Sequence, residues 1–292
     1  MISDELMNDP RTDAMISLAL AEDVGVGDAT TLALVDPTIM ATGEILAREA
    51  CRVAGACVAK RVLTCVDPTI EVVIQVPDGR DVVAGETILT IRGLASSILT
   101  AERTALNFMQ RLSGIATLTR RFVEVVNPYG TQILDTRKTT PGLRLFEKYA
   151  VRCGGGVNHR FGLFDRVLIK DNHRKLWQGG DPDRLDLAVQ ASRARFPNLV
   201  VEVEVESVAE CQSALRAKPE WIMLDNMTCE MMCECVARCQ GISRTEASGG
   251  ITLERAREVA ATGVDAISLG CLTHSAPSVD LSLEWQVESP CV

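Results

Sequence analysis

Six short apolar runs, separated by segments of helical periodicity, occupy the chain from Thr131 to Gly270. The last four runs end about 22 residues apart, which is the length of one strand, one helix and their connections. Alternating β and α patterns predict a parallel sheet with crossover helices. Six units favour an α/β barrel, complete or incomplete, over an open sheet. The runs are TQILD, RVLIK, LVVEVEV, WIMLD, ISRTEAS and AISLG.

The predicted strands end in residues that can do chemistry. No glycine-rich dinucleotide fingerprint follows an early strand, which argues against a Rossmann fold. In α/β barrels the active site lies at the carboxyl ends of the strands. The change from apolar to polar or small residues at these ends therefore predicts an enzyme. The predicted ends are Asp135, Lys170, Glu204, Asp225, Ser248 and Gly270.

The chain before the barrel has a different pattern. Residues 12–22 have helical spacing, and three β-type runs lie between Thr42 and Gly93, with a helix at 58–66 between the first two. Their glycines and the Asp78-Gly79 pair are typical of turns.

A strongly amphipathic helix is predicted at residues 96–113. Ser97 or Thr100 is a suitable cap, and Gly114 is expected to end the pattern. A second helix is predicted from there to about Val126.

A basic cluster stands out between Asp135 and His173, because the chain as a whole has a formal net charge of −9. It predicts a pocket for a small molecule with several negative charges. A nucleic-acid surface is not indicated, since aromatic residues make up only 4% of the chain. Arg144, Lys148 and Arg152 are interpreted as solvated or scaffold charges. The strand-end cations interpreted as site residues are Arg137, Lys138, His159, Arg160 and Lys170.

Two further groups complete the predicted site. Glu204 and Asp225 each close an apolar strand, where carboxylates can hold Mg²⁺ or the hydroxyls of a ribose. The pattern does not separate Glu204 from Glu202 and Glu206, which would lie on the same face of the strand. The third group, an anion cradle, is predicted at Ser248-Gly249-Gly250 before a helix, and at Ser268 to Gly270.

Taken together, the three groups fit a sugar with two hydroxyls, a phosphate and further anionic groups. Phosphoribosyl pyrophosphate (PRPP) with an anionic acceptor fits this description, and so does a phosphosugar for an isomerase. The eleven cysteines are spread through apolar and helical stretches, which suits a reduced cytoplasm. Cysteines at 229, 233, 235 and 239 are expected on one helix, too far apart for one zinc ion. No signal peptide or membrane span is indicated.

Six longer motifs resemble those of the quinolinate phosphoribosyltransferase family. They are AERTALNFMQRLSGIAT (101–117), DTRKTTPGLR (135–144), KYAVRCGGGVNHRFGLFDRVLIKDNH (148–173), VEVEVES (201–207), IMLDNM (222–227) and EASGGIT (246–252). The similarity extends from about residue 21 to residue 281. The resemblance implies conversion of quinolinate and PRPP to nicotinate mononucleotide, CO₂ and pyrophosphate with Mg²⁺, a step of NAD synthesis.

The resemblance also implies an architecture. An N-terminal α/β sandwich would cover residues 1–114, joined by 277–292, and an open α/β barrel would cover 115–276. A homodimer or hexamer with shared active sites is expected, in which Arg103 reaches the neighbouring subunit. Rival interpretations are a molybdenum-transport-type relative, a nicotinate-specific transferase and a non-catalytic phosphosugar-binding regulator.

Site residues follow from the same resemblance, position by position. Lys138, Lys170, Glu204 and Asp225 are expected to be catalytic, and the last two to hold the metal. The substrate-binding positions are Arg103, Thr136, Arg137, Lys138, His159, Arg160, Lys170, Glu204, Asp225, Ser248, Gly249, Gly250 and Gly270.

Overall fold

The computed structural model describes residues 2–177, 180–181 and 183–286. Contacts between Cα atoms divide the chain into two compact units. The first contains Met1–Arg120, Thr139–Gly155 and Leu272–Val292, and the second contains Arg121–Lys138 and Gly156–Cys271. The domain boundaries predicted at residues 114 and 276 stay predictions. Elements are numbered below in chain order.

The first unit is built on a four-stranded antiparallel sheet with the order β12-β1-β5-β3. Its strands are β1 (Met40–Ala47), β3 (Glu71–Ile74), β5 (Thr87–Leu94) and β12 (Leu281–Gln286). A separate two-stranded ribbon pairs β2 (Cys51–Arg52) with β4 (Asp81–Val82). The helices of this unit, apart from the long α5 described next, are α1 (Ile2–Met7), α2 (Pro10–Val24), α3 (Ala29–Leu34), α4 (Ala56–Val66) and α6 (Arg144–Cys153).

One helix, α5 (Ala95–Val126), runs without interruption for 32 residues. The predicted break at Gly114 is wrong. A Cβ atom there would lie 1.9 Å from the carbonyl oxygen of Pro277, so the glycine serves a close backbone approach. The predicted caps are also wrong, because α5 begins directly after β5, and Ser97 Oγ instead donates to Asp67. Within the described residues, no helix combines the length and apolar character that crossing a bilayer requires.

The C-terminal strand β12 completes the sheet of the first unit. Its residues pair antiparallel with β1, from Leu281 opposite Ala47 to Gln286 opposite Thr42. The pairing agrees with the return of the C-terminal segment to this sheet as far as Gln286, and the predicted domain range 277–292 stays a prediction. Residues 287–292 lie outside the described residues.

The second unit is a six-stranded parallel sheet with the order β6-β11-β10-β9-β8-β7. Every one of the six predicted runs forms a strand, and β6 and β7 are the outer strands, as an open barrel requires. The strands are β6 (Gln132–Leu134), β7 (Val167–Ile169), β8 (Val201–Val205), β9 (Trp221–Asp225), β10 (Arg244–Ser248) and β11 (Ala266–Ser268).

The crossover helices explain why the central strands of the sheet are buried on both sides. All five residues of β8 are buried, since a parallel sheet of this class is covered on both faces. A 3-10 helix (Asn127–Tyr129) precedes β6. The helices are α7 (Asp171–Leu176), α8 (Leu185–Arg195), α9 (Val208–Leu215), α10 (Cys229–Cys239) and α11 (Leu253–Ala261), and α12 (Cys271–His274) follows β11.

The cysteines behave as packed or surface thiols. Ten free cysteines lie within the described residues. The predicted placement of four of them on one helix is confirmed by α10, where Cys233 is exposed and Cys239 is buried. Cys153 is buried, and burial followed by the charge of Asp78 raises the pKa of its thiol to about 12, which disfavours the reactive thiolate. A reducing, cytoplasmic location stays a prediction.

Candidate active site

Two guanidinium groups form the centre of the basic cluster. Arg137 follows the carboxyl end of β6, and Arg160 lies in the loop before β7. Both line a cavity of about 740 Å³, together with Lys170 and His173. Burial and then the positive charge of Arg137 lower the pKa of Arg160. Like charges held this close are poised to receive an anion that neutralises both.

A buried aspartate holds the segment that carries Arg160. Asp135, at the end of β6, is fully buried. Its carboxylate accepts hydrogen bonds from the backbone N–H of His159 at 2.9 Å and from Asn158 Nδ2 at 2.6 Å. Ionised acceptors form the stronger hydrogen bonds, so this contact fixes the loop in one register. Asp135 was predicted only as a strand end, and the structure shows that it orients its neighbours.

Lys170 and Glu204 meet at the carboxyl ends of neighbouring strands. β7 and β8 are paired in parallel register, with Ile169 opposite Val203. The Lys170 ammonium contacts the Glu204 carboxylate. Glu204 is buried, whereas the Lys170 side chain is 43% exposed. The Lys170 ammonium can therefore contact an anionic ligand and stay close to the Glu204 carboxylate.

The structure separates the three glutamates of the VEVEVES segment. Glu202 lies below the strand end, fully buried against His159. Glu204 contacts Lys170, and Glu206 is exposed. One strand further, Asp225 ends β9 half-buried, with its carboxylate accepting a hydrogen bond from Asn226 Nδ2 at 2.7 Å. Of the three, Glu204 is the one that is buried next to the strand end and contacts Lys170.

The predicted anion cradle follows β10. Gly249 and Gly250 have φ angles of +97° and +59°, and Asn226 has +53°. A Cβ atom on Gly249 would lie 2.1 Å from Asn226 Oδ1, so only glycine fits this turn. These residues line a cavity of about 570 Å³ with Arg255 of α11. Left-handed backbone before a helix is typical of anion-binding turns.

The remaining predicted residues are at the strand ends of the second unit, except Arg103. Thr136 Oγ1 accepts a hydrogen bond from the backbone N–H of the exposed Lys138 at 3.0 Å. Ser248 and Gly270 are half-buried at and just beyond the ends of β10 and β11. Arg103 belongs to the first unit, where it is exposed on α5.

The cations interpreted as solvated differ among themselves. Of the two interpretations, solvated charge is wrong for Lys148, which is only 3% exposed on α6, and scaffold charge remains. Arg144 Nε donates to Thr139 Oγ1 at 3.0 Å, and Arg152 forms an ion pair with Glu5. The helix α6 is covered on most sides, since every residue from Phe146 to Val151 is buried, and Lys148 is covered with them despite its charge.

A buried glutamate, not recognised from the sequence, anchors the chain two residues after Lys138. Glu147 on α6 is fully buried and accepts from the backbone N–H of Thr140 at 3.0 Å and from its hydroxyl at 2.8 Å. It also pairs with Arg111 at 2.9 Å. Arg111 in turn donates to the carbonyl oxygens of Thr273 and Ala276. The spacing of Glu147 offers no signal for this role.

Family models match nearly the whole chain. The model described as "Quinolinate phosphoribosyl transferase, C-terminal domain" matches residues 115–284, and that for the N-terminal domain matches residues 28–113. The chain belongs to the quinolinate phosphoribosyltransferase family.

Members of the quinolinate phosphoribosyltransferase family match this chain over nearly their full length. A probable nicotinate-nucleotide pyrophosphorylase (carboxylating) from Bacillus subtilis is 39% identical over 286 residues, covering 98% of this chain and 97% of its own. The Mycobacterium leprae nicotinate-nucleotide pyrophosphorylase (carboxylating) is 43% identical, covering 92% and 95%. The solved nicotinate-nucleotide pyrophosphorylase from Francisella tularensis has a TM-score of 0.89 at 40% identity, covering 94% and 96%. The predicted sandwich and open barrel are the fold of this family.

Proposed function

We propose that this chain transfers the phosphoribosyl group of PRPP to quinolinate, yielding nicotinate mononucleotide, CO₂ and pyrophosphate. The observation that carries the proposal is the pair Arg137 and Arg160 in one cavity with Lys170, beside the Glu204 strand end. A diacid supplies two negative charges to this pair. A substrate with one carboxylate would supply only one.

The two halves of the site suit the two substrates. Arg137, Arg160 and Lys170 form the diacid end, and the glycine turn after β10 forms the phosphate end. Between them, Glu204 and Asp225 lie on paired strands, where Val205 is opposite Leu224. Carboxylate oxygens suit Mg²⁺, which usually takes one or two from the protein and others from substrate phosphates. We propose these two residues as its ligands, and bound Mg²⁺ would offset charge on the pyrophosphate.

The chain's own residues account for the chemistry. Attack of the pyridine nitrogen on the anomeric carbon forms the new C–N bond as the bond to pyrophosphate breaks. Glu204 and Asp225 favour the positive charge that develops on the sugar, and Lys138 and Lys170 favour the departing anion. The ring nitrogen is then cationic and stabilises the electron pair that stays on the adjacent ring carbon when its carboxylate departs as CO₂. A proton takes its place on the ring carbon.

One assay tests the proposal. Purified protein with Mg²⁺, PRPP and quinolinate labelled in the 2-carboxylate should release labelled CO₂ and form nicotinate mononucleotide. Release is expected to require both substrates. Folded protein that binds PRPP without any release would instead be a phosphosugar-binding regulator, and product from nicotinate but not quinolinate would indicate a monoacid transferase. A molybdenum-transport-type relative would show neither reaction.

Arg137→Ala is expected to weaken quinolinate binding by at least about tenfold, since a charge-assisted hydrogen bond to a carboxylate contributes about 1.5–3 kcal/mol. Isothermal titration calorimetry measures the dissociation constant directly. Arg61→Ala is a matched control, because Arg61 pairs with Asp13 on the surface of the first unit. An unchanged dissociation constant in Arg137→Ala would remove this residue from the site.

We propose further that the active protein is a homo-oligomer, in which Arg103 of one subunit completes the site of another. Support comes from its exposure on α5 and from the family resemblance. Arg103→Ala and Lys138→Ala subunits should each be inactive alone, and mixing them with subunit exchange should restore part of the activity. Two separately prepared Lys138→Ala samples, mixed in the same way, should remain inactive. Absence of recovery despite exchange would argue for sites within single subunits.

A further inference from the structure

Asn226 lies between the Asp225 carboxylate and the glycine turn that follows β10. It comes directly after β9, and its backbone N–H donates to the carbonyl oxygen of Ser248 at 3.0 Å. Ser248 is opposite Asp225 in the parallel pairing of β9 with β10, so this hydrogen bond adds one step to the ladder beyond both strand ends. Asn226 is exposed and lines the cavity of about 570 Å³ beside the turn. A ligand in that cavity can therefore reach its side chain.

The amide side chain of Asn226 contacts both of its neighbours. Its Nδ2 donates to Asp225 Oδ2 at 2.7 Å, and only the nitrogen of the amide can donate to a carboxylate. Its Oδ1 and Cγ lie close to Gly249, because a Cβ atom on that glycine would be 2.1 Å and 2.6 Å from them. One side chain thus holds the carboxylate on one side and fills the space beside the turn on the other.

The backbone of Asn226 is left-handed, with a φ angle of +53°. Among the residues that the structure describes, Lys218 is the only other non-glycine residue with a positive φ angle, at +49°. Asparagine adopts this conformation more readily than most residues, and glycine adopts it with less strain still. The turn alone would therefore be served equally well by glycine. The contact of the amide with Asp225 is what asparagine adds.

This contact couples the carboxylate to the turn. A hydrogen bond to an ionised acceptor is stronger than one between neutral groups, so it restricts the rotation of the Asp225 carboxylate. The same amide is held in place by its own backbone bond to Ser248 and by its packing on Gly249. A shift of the turn would therefore also turn the carboxylate.

We propose that Asn226 is a positioning residue that holds the Asp225 carboxylate and the Gly249 turn at the separation that a phosphoribosyl group requires. The carboxylate would meet the sugar and the turn would meet the phosphate. The proposal rests on the proposed function, which supplies this substrate. Quinolinate is assigned to Arg137 and Arg160, so loss of the amide should affect PRPP and leave quinolinate binding nearly unchanged.

A residue that only completes the turn is the competing interpretation, and two variants separate it from the proposal. Asn226→Gly keeps the left-handed backbone without strain and removes the amide. Asn226→Asp keeps the shape of the side chain and replaces its donor by a carboxylate oxygen, which Asp225 repels. A turn residue would tolerate both changes, whereas a residue that positions Asp225 would tolerate neither.

Steady-state kinetics with each substrate varied gives the first readout. Asn226→Gly should raise the KM for PRPP by at least about tenfold, as expected for the loss of one hydrogen bond to a charged group, and Asn226→Asp should raise it at least as much. The KM for quinolinate should change by less than about twofold in both variants. Lys218→Gly makes the same exchange at an exposed left-handed residue and should keep both KM values within about twofold.

Gly249→Ala tests the packing of the amide on the turn without any ligand. Its Cβ atom would meet the amide of Asn226, but in the Asn226→Gly background the amide is gone and the backbone N at 3.0 Å remains. Gly249→Ala should therefore lower the urea midpoint less in that background than in the wild type. Equal losses in both backgrounds would overturn the proposed coupling to the turn.

Calorimetry with ribose 5-phosphate, which carries the phosphate and the ribose hydroxyls and cannot react, decides independently of turnover. Its dissociation constant should rise at least about fivefold in Asn226→Gly and stay unchanged in Lys218→Gly. Equal constants in wild type and Asn226→Gly would overturn the proposal, as would equal rises in both KM values or a wild type that binds neither ribose 5-phosphate nor PRPP. Binding that depends on Asn226 without CO₂ release would refute the proposed function alone.

Discussion

Lys170→Met is expected to lower kcat/KM by at least about 100-fold, the effect typical of removing one preorganised charge that stabilises a transition state. The residue ends β7, and its ammonium contacts the buried Glu204. Methionine keeps the length of the side chain and removes only the charge. The variant loses an attraction for both substrates and leaves the Glu204 carboxylate without its cation. Steady-state kinetics with both substrates varied measures the loss.

A second lysine, five residues away, provides the control. Lys175 is exposed on α7 and pairs with Asp171 at 2.8 Å, one helical turn earlier. Lys175→Met should retain kcat/KM within about twofold, because exposed ion pairs of this type contribute little. If Lys170→Met also stays within tenfold of the wild type, Lys170 does not take part in the reaction.

Glu147→Ala is expected to lower the free energy of unfolding by about 3–5 kcal/mol, the range for removing one partner of a buried ion pair. The substitution leaves Arg111 with two carbonyl oxygens and no counter-charge. It also removes the acceptor for Thr140, two residues after Lys138. Urea unfolding followed by circular dichroism measures the stability, and a raised KM should accompany its loss.

Two variants separate charge from general loss of contacts. Glu147→Gln keeps the shape and part of the hydrogen bonding, so its stability should fall between that of Glu147→Ala and the wild type. Glu5→Ala removes a carboxylate that is 68% exposed and pairs with Arg152. Its urea midpoint should match the wild type. Equal midpoints for Glu147→Ala and Glu5→Ala would show that the buried pair does not stabilise the unit.

The barrel could be predicted because its signal is local. Each strand is a short apolar run. Each run ends close to a polar or small residue that can contribute to an active site, as with Glu204 and Asp225. Parallel pairing then brings these ends to one edge of the sheet, whatever the intervening loops contain. The turn at Gly249 could be predicted for the same reason, since two adjacent glycines before a helix indicate a turn without reference to distant residues.

Contacts distant in sequence could not be predicted in this way. Gly114 looked like the end of a helix, but its reason is Pro277, which no pattern near residue 114 shows. In the sequence, Glu246 is a single acidic residue on a predicted strand. Its cluster with His159 and Glu202 is formed by other elements, so no local pattern shows it. The choice between solvated and scaffold charge at Lys148 could not be made from the sequence, because a charged residue gives no sign that its helix is covered on most sides.

The pairing of β12 with β1 sets an order for biosynthesis. The last described strand lies beside one that leaves the ribosome more than 200 residues earlier, with Leu281 opposite Ala47. One edge of β1 therefore has no β12 partner while the entire parallel sheet is translated. An unpaired edge strand is a template for wrong association. Ribosome-bound chains that stop before Leu281 should therefore be the species that chaperones hold, and the emergence of β12 is the step that closes the first sheet.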